Sequence, residues 1–225
     1  MIRPTREVAR LLDSLGLAIG AHQVEIIDFK QAESGYVHHS LAPVALVGYA
    51  AVSPVFARGR FPKYSFIDLI QKRPSMDTLE ALALAAVCGA DVAPPIGWSN
   101  SRPFGEHLWS VIDRYDLSAF FERVDRPYGG GGAHYLMRPR GFDWNDPSQP
   151  EIPGAMQQWR RNYKALTPVR QLMVATVLQL YRQGPDPYWM VRVPQNWHAA
   201  EGVEILHANG VLADWARLYA LYPGW

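Results

Sequence analysis

Between Ile152 and Arg192 six basic residues, Arg160, Arg161, Lys164, Arg170, Arg182 and Arg192, face a single acid, Asp186, for a local charge of +5. Trp159, Tyr163, Tyr188 and Trp189 are interleaved with them. Cationic side chains neutralise phosphates and aromatic faces stack on exposed bases, so this composition is the footprint expected of a nucleic-acid surface. The six cations are assigned to phosphate, and Trp159 and Tyr163 to stacking. The same residues also describe a solvated helical face over aromatic core positions. Whether the cations converge in space decides between the two.

A second candidate is Val24-Glu25-Ile26-Ile27-Asp28-Phe29-Lys30. A strand ending in acid-x-Lys is how many metal-dependent nucleases build their site: the acid ligates a divalent ion and the lysine steadies water or phosphate. Asp28 and Lys30 would carry that chemistry. The second acid such a site needs would be Asp13, which falls inside a predicted helix instead of on a neighbouring strand, so the motif lacks its context.

Other constellations carry less. His38 and His39 are adjacent and diverge on any regular element. His198, Glu201, Glu204 and His207 recur every third residue and spiral across a helix, giving neighbouring pairs without a converging ligand set. No Cys-x-x-Cys, His-Glu-x-x-His or Gly-x-Ser-x-Gly pattern occurs. Gly129 to Gly132 neither follow a strand nor open a helix, as a phosphate loop would, and read as a hinge or flap. No cofactor and no metal are expected. Cys88, the single cysteine, lies in an apolar run and reads as a small buried hydrophobe.

These residues must be positioned by elements that the hydrophobic pattern outlines. Arg6 to Leu15 reads as a helix capped by Thr5, Val24 to Phe29 as a strand, and residues 41–57 as a buried strand. The chain turns helical from Ser65, and Asp77 with Glu80 opens a run to Ala90 that is apolar nearly all round. Residues 105–123 read as helix broken near Asp116. After the glycines, a Pro/Asp-rich stretch up to Pro153 reads as a long loop.

Thr167-Pro168 starts a helix whose Val169, Leu172, Met173, Thr176, Val177, Leu180 and Tyr181 hold the i, i+3, i+4 rule. Tyr188 to Val193 reads as extended. Trp197 to Ala208 is helical, Asn209-Gly210 is a left-handed stop, and Leu212, Trp215, Leu218, Tyr219 and Tyr222 form a last apolar stripe. That final pair has helix-turn-helix spacing, but Glu201, Glu204 and Asp214 against Arg217 oppose a duplex. A helical hairpin closing the core fits better.

The bulk numbers agree with a globular chain. Its 225 residues are 48% hydrophobic and 19% charged, with 22 basic and 21 acidic side chains, far from the composition of disorder. Eighteen of the basic residues are arginine, the side chain suited to phosphate and carboxylate, although a GC-rich coding sequence would produce the same bias. Arg3, Arg6, Glu7, Arg10 and Asp13 break any signal-peptide core, and the low-charge stretch 37–57 contains histidine, proline and glycine, so no membrane partner and a cytoplasmic location are expected.

The expected fold is α+β and predominantly helical, with a small β element near the N-terminus and a helical C-terminal third. One domain over 1–225 is expected, with a subdomain boundary in 127–153. The expected function is that of a non-enzymatic binding or accessory protein whose favoured partner is nucleic acid, through 152–192. The alternatives are a metal-dependent nuclease using Asp28 and Lys30, and a protein–protein interaction module rich in tryptophan and tyrosine, anchored by Tyr222 to Trp225.

Overall fold

The computed structural model describes residues 17–19, 24–26, 65–71, 73–76, 81, 84–85, 88–92, 101–124, 137–182, 186, 188–190 and 197–223. The predicted helix 6–15, the strand 41–57, the Asp77–Glu80 box and the glycine run lie outside these residues. Among the described residues the chain is mostly helical, with two small antiparallel ribbons. The first ribbon pairs β1 (Leu17–Ile19) with β2 (Val24–Ile26), inside the segment whose sequence reads as a strand. The α+β, predominantly helical expectation holds at this level.

The chain divides into two compact units, one formed by Met1–Pro94 with Asn196–Ala220 and the other by Pro95–Gln195 with Leu221–Trp225. Residues 127–153 fall within the second.

In the first unit, α1 (Phe66–Gln71) begins at a reciprocal cap. The Asp68 amide donates to Ser65 Oγ at 3.0 Å, and the Ser65 amide donates to Asp68 Oδ2 at 3.1 Å. Two otherwise orphaned donors are thereby satisfied, which lets so short a helix start. Phe66 then lies on α5 (Ala199–Ala208) at Gly202, where a β-carbon would sit 2.5 Å from the Phe66 ring. Only glycine allows that approach.

The two-residue stop at Asn209-Gly210 is as the sequence predicts: Gly210 has φ +69°, and the Val211 amide donates back to the Leu206 carbonyl at 2.9 Å. It leads into α6 (Leu212–Leu221). Trp215 and Tyr219 stack at 5.3 Å and both are fully buried, so this hairpin closes a core. Its last turn is held by Arg73, buried at 6% exposure, whose guanidinium donates to the carbonyls of Tyr219 (2.7 Å) and Ala220 (3.0 Å).

Cys88 is also interior, and burial pushes its thiol from the ordinary 9.0 up to about 12. At pH 9 an ordinary thiol is half ionised, whereas Cys88 is ionised only about one part in a thousand. Alkylation by iodoacetamide at pH 8–9 is therefore expected to be slower by two or more orders of magnitude, on the order of the lost thiolate fraction, in native than in urea-unfolded protein. Mass spectrometry of timed aliquots measures this; equal rates would place the thiol at the surface.

The second unit opens with α2 (Ser101–Arg114). The sequence pattern reads helix over 105–123 with a break near Asp116; the break is there, at φ +50°, where the chain reverses, but no helix follows it. Phe121–Arg123 then forms β3, antiparallel to β4 (Met137–Pro139), with Glu122 opposite Arg138. Periodicity alone does not separate short apolar strands from helix, and here the strand is made by its distant partner.

Two helices follow, α3 (Ala155–Lys164) and α4 (Pro168–Arg182). Every residue of α4 from Leu172 to Leu180 is buried, so the predicted stripe sits on a helix enclosed on all sides. The Thr176 hydroxyl tolerates this by donating to the Leu172 carbonyl at 2.8 Å. Among the described residues no helix is long and apolar enough to cross a membrane.

Candidate functional site

α3 is the element that carries Arg160, Arg161 and Lys164, and the sequence pattern does not single it out. It starts after Pro153 at Gly154, in a left-handed conformation (φ +77°) with no side-chain cap. The usual Ser/Thr/Asp/Asn signal is therefore missing. What forms the helix is its buried face: Met156, Trp159 and Tyr163 are all interior.

The structure separates the eight residues assigned to binding. Trp159 (3% exposed) and Tyr163 (2%) stack on one another at 5.6 Å with rings 7° from parallel, and Phe120 meets Trp159 edge-on at 5.1 Å. Neither offers a ring face to solvent, and their burial pushes the Tyr163 hydroxyl well above its ordinary pKa. They seat α3.

Arg170 donates to the Asp116 carboxylate at 2.9 Å and to its backbone carbonyl, which pins the reversal after α2. Arg160 donates to the backbone carbonyls of Trp189 (3.3 Å) and Tyr188. Arg161 donates only to the neighbouring Gln158 amide oxygen at 2.6 Å, and both it and Lys164 are exposed with no carboxylate partner among the described residues. Arg192 lies outside the described residues, as do Asp28, Lys30 and Asp13.

Residues 188–190 do not run extended. They form a tight bend held from three sides. The Asp186 carboxylate accepts from the amides of Tyr188 (2.9 Å) and Met190, the Arg160 guanidinium gathers the carbonyls, and the fully buried Trp189 donates its indole N–H to the Arg140 carbonyl at 2.8 Å. That last contact needs Gly141, whose φ of +129° and missing β-carbon make room for Met156 and Trp189.

Around this bend gathers an aromatic cluster centred on Phe142. Its ring centroid lies 5.2 Å from Tyr188, 5.1 Å from Trp189 and 5.6 Å from Trp144. Guanidiniums flank it on both sides. Arg138 lies 5.8 Å from the centre of the Trp144 ring, and Arg182 lies 5.7 Å from Tyr188 and 5.8 Å from Trp189, geometries in which the ring quadrupole attracts the cation. Arg138 is paired with Glu122 at 2.6 Å, which also holds Arg140 at 3.0 Å. Arg182 is different: its Nε is buried and meets no acceptor among the described residues. Arg182 and Arg138 both act on the Tyr181 hydroxyl, whose pKa is raised by burial and partly pulled back by these two charges.

Phe142, Trp144 and Arg138 were not among the sequence candidates. Nothing in their local pattern marks them, because Phe142 meets Tyr188 only through the fold, and Trp144 joins the cluster through Phe142 and Arg138 through Trp144.

No protein-family model, curated protein or solved structure matches the chain. Among the described residues, no three His, Cys, Asp or Glu side chains group closely enough to hold a metal ion. Tyr222, part of the proposed protein anchor, is 2% exposed and meets Phe104 edge-on at 5.6 Å; Trp225 lies outside the described residues.

Proposed function

We propose that this chain is a non-enzymatic accessory protein that binds nucleic acid through the phosphate backbone, using the cationic pair of helices α3 and α4. One observation supports the reading above all: residues 155–182 contain Arg160, Arg161, Lys164, Arg170 and Arg182 and no carboxylate at all. Arg161 and Lys164 lie three residues apart on α3, hence on one face of it, and both are exposed. Arg160 and Arg170 have a structural duty in holding the bend and the α2 reversal, so the phosphate contacts fall to Arg161 and Lys164, with Arg182 at the C-terminal end of α4.

The test is fluorescence anisotropy with labelled single-stranded and duplex oligonucleotides at low and rising salt. Binding is expected at low salt, weakening linearly in log–log form, because each phosphate contact releases close to one counterion. The double variant Arg161→Glu/Lys164→Glu is expected to weaken binding roughly tenfold or more and to flatten the salt slope by about two contacts. No binding at low salt, or binding indifferent to both charge reversals, rejects the proposal.

A further inference from the structure

We infer that the nucleic acid taken is single-stranded, and that one unpaired base stacks on the exposed ring of Tyr188 while Arg182 receives the adjoining phosphate. The inference rests on the nucleic-acid reading above and makes it specific.

Tyr188 is one of two large apolar or aromatic side chains among the described residues that are exposed, at 43%. It is not loose. The bend beneath it is held by Asp186, Arg160 and Trp189, and Phe142 braces the ring edge-on at 5.2 Å. An aromatic ring presented from so fixed a base loses little freedom when a ligand covers it, which is what a stacking platform requires.

The neighbouring charge points to the same ligand. The Arg182 guanidinium lies near the Tyr188 and Trp189 rings, pairs with no carboxylate among the described residues, and has a desolvated Nε without an acceptor among them. A guanidinium held against aromatic faces and left without an anion is a ready receptor for phosphate oxygens. A duplex keeps its base faces stacked inside and has nothing to offer Tyr188; an unpaired strand does.

The experiment measures binding of the full chain to oligo(dT) and oligo(U), to a duplex of equal length, and to an oligo(dT) carrying abasic sites. The intact chain is expected to prefer either single strand over duplex, and to lose about tenfold or more in affinity when the bases are removed. Tyr188→Ala is expected to lower single-strand affinity by a similar factor and to make the protein blind to the abasic sites, while Tyr188→Phe restores the preference. Far-UV circular dichroism confirms that the variants are folded. Equal affinity for single strand, abasic strand and duplex, with Arg161→Glu/Lys164→Glu still weakening all of them, overturns the stacking site and leaves the phosphate-binding reading intact. Absence of binding to any of the probes removes that reading and this one together.

Discussion

Replacing Arg73 by methionine is expected to lower the unfolding free energy by about 3 kcal/mol, because one side chain closes the end of α6. The last carbonyls of a helix have no partner within it. Here those of Tyr219 and Ala220 are met by Nε and Nη2 of a guanidinium buried to 6% exposure, and Nη1 reaches the Met76 carbonyl at 3.3 Å. A hydrogen bond from a charged donor contributes roughly 1.5–3 kcal/mol, and carbonyls left buried without a donor cost more than exposed ones would.

The positive charge at a helix C-terminus adds a favourable interaction with the aligned peptide dipoles. Methionine preserves the apolar stem but none of this. Lysine keeps the charge, yet a single ammonium does not span two successive carbonyls as a planar fork does, so Arg73→Lys should recover less than half of the loss. Urea unfolding followed at 222 nm measures both. A midpoint for Arg73→Met within experimental error of the parent would show that water satisfies these carbonyls equally well.

Gly141→Ala is expected to cost a similar amount, about 3 kcal/mol, for two separate reasons. The backbone at φ +129° belongs to glycine, and an L side chain held there is strained by on the order of 1–3 kcal/mol. The new β-carbon would also fall 1.8 Å from Met156 Cε, so the far end of that flexible side chain, 2% exposed, must shift; such overpacking adds on the order of 1 kcal/mol.

The damage should be felt at the candidate site. Trp189 Nε1 lies 3.5 Å from the same position and donates to the carbonyl of the preceding residue, Arg140. Adding Met156→Ala to Gly141→Ala removes the collision and leaves the backbone strain, so the double variant should remain less stable than Met156→Ala alone. Thermal unfolding together with near-ultraviolet circular dichroism of the tryptophans reports both effects. Full recovery in the double variant would mean that the backbone at 141 relaxes freely.

The two sites share a physical logic. Arginine is abundant in this chain, and several arginines are committed to backbone carbonyls: Arg73 to the end of α6, Arg140 to Ser118, Arg160 to the Tyr188 bend. A side chain with five donors and a rigid fork is the natural closure for chain ends and bends that lack a partner of their own. The count of basic residues in 152–192 therefore overstates the charge free to meet a ligand, and Arg161, Lys164 and Arg182 are the members on which the proposed phosphate contacts rest.

The sequence by itself determined the parts of this protein governed by local chemistry. The Thr167-Pro168 start and the long apolar pattern behind it yield α4, Asn209-Gly210 yields the stop before α6, and Ser65 marks the start of α1, because caps and glycine conformations act over a few residues. Burial of Trp215 and Tyr219 followed from the same periodicity. Elements and contacts whose partners are remote in the chain are set by the folded arrangement instead. β3 reads as helix until β4 pairs with it; α3 has no capping signal and exists through the faces it buries; Phe142 meets Tyr188 across more than forty residues of chain. Trp159 and Tyr163 show the difference most directly: spacing beside arginines is the same for a stacking platform and for a core, and only the neighbours that enclose a ring distinguish the two.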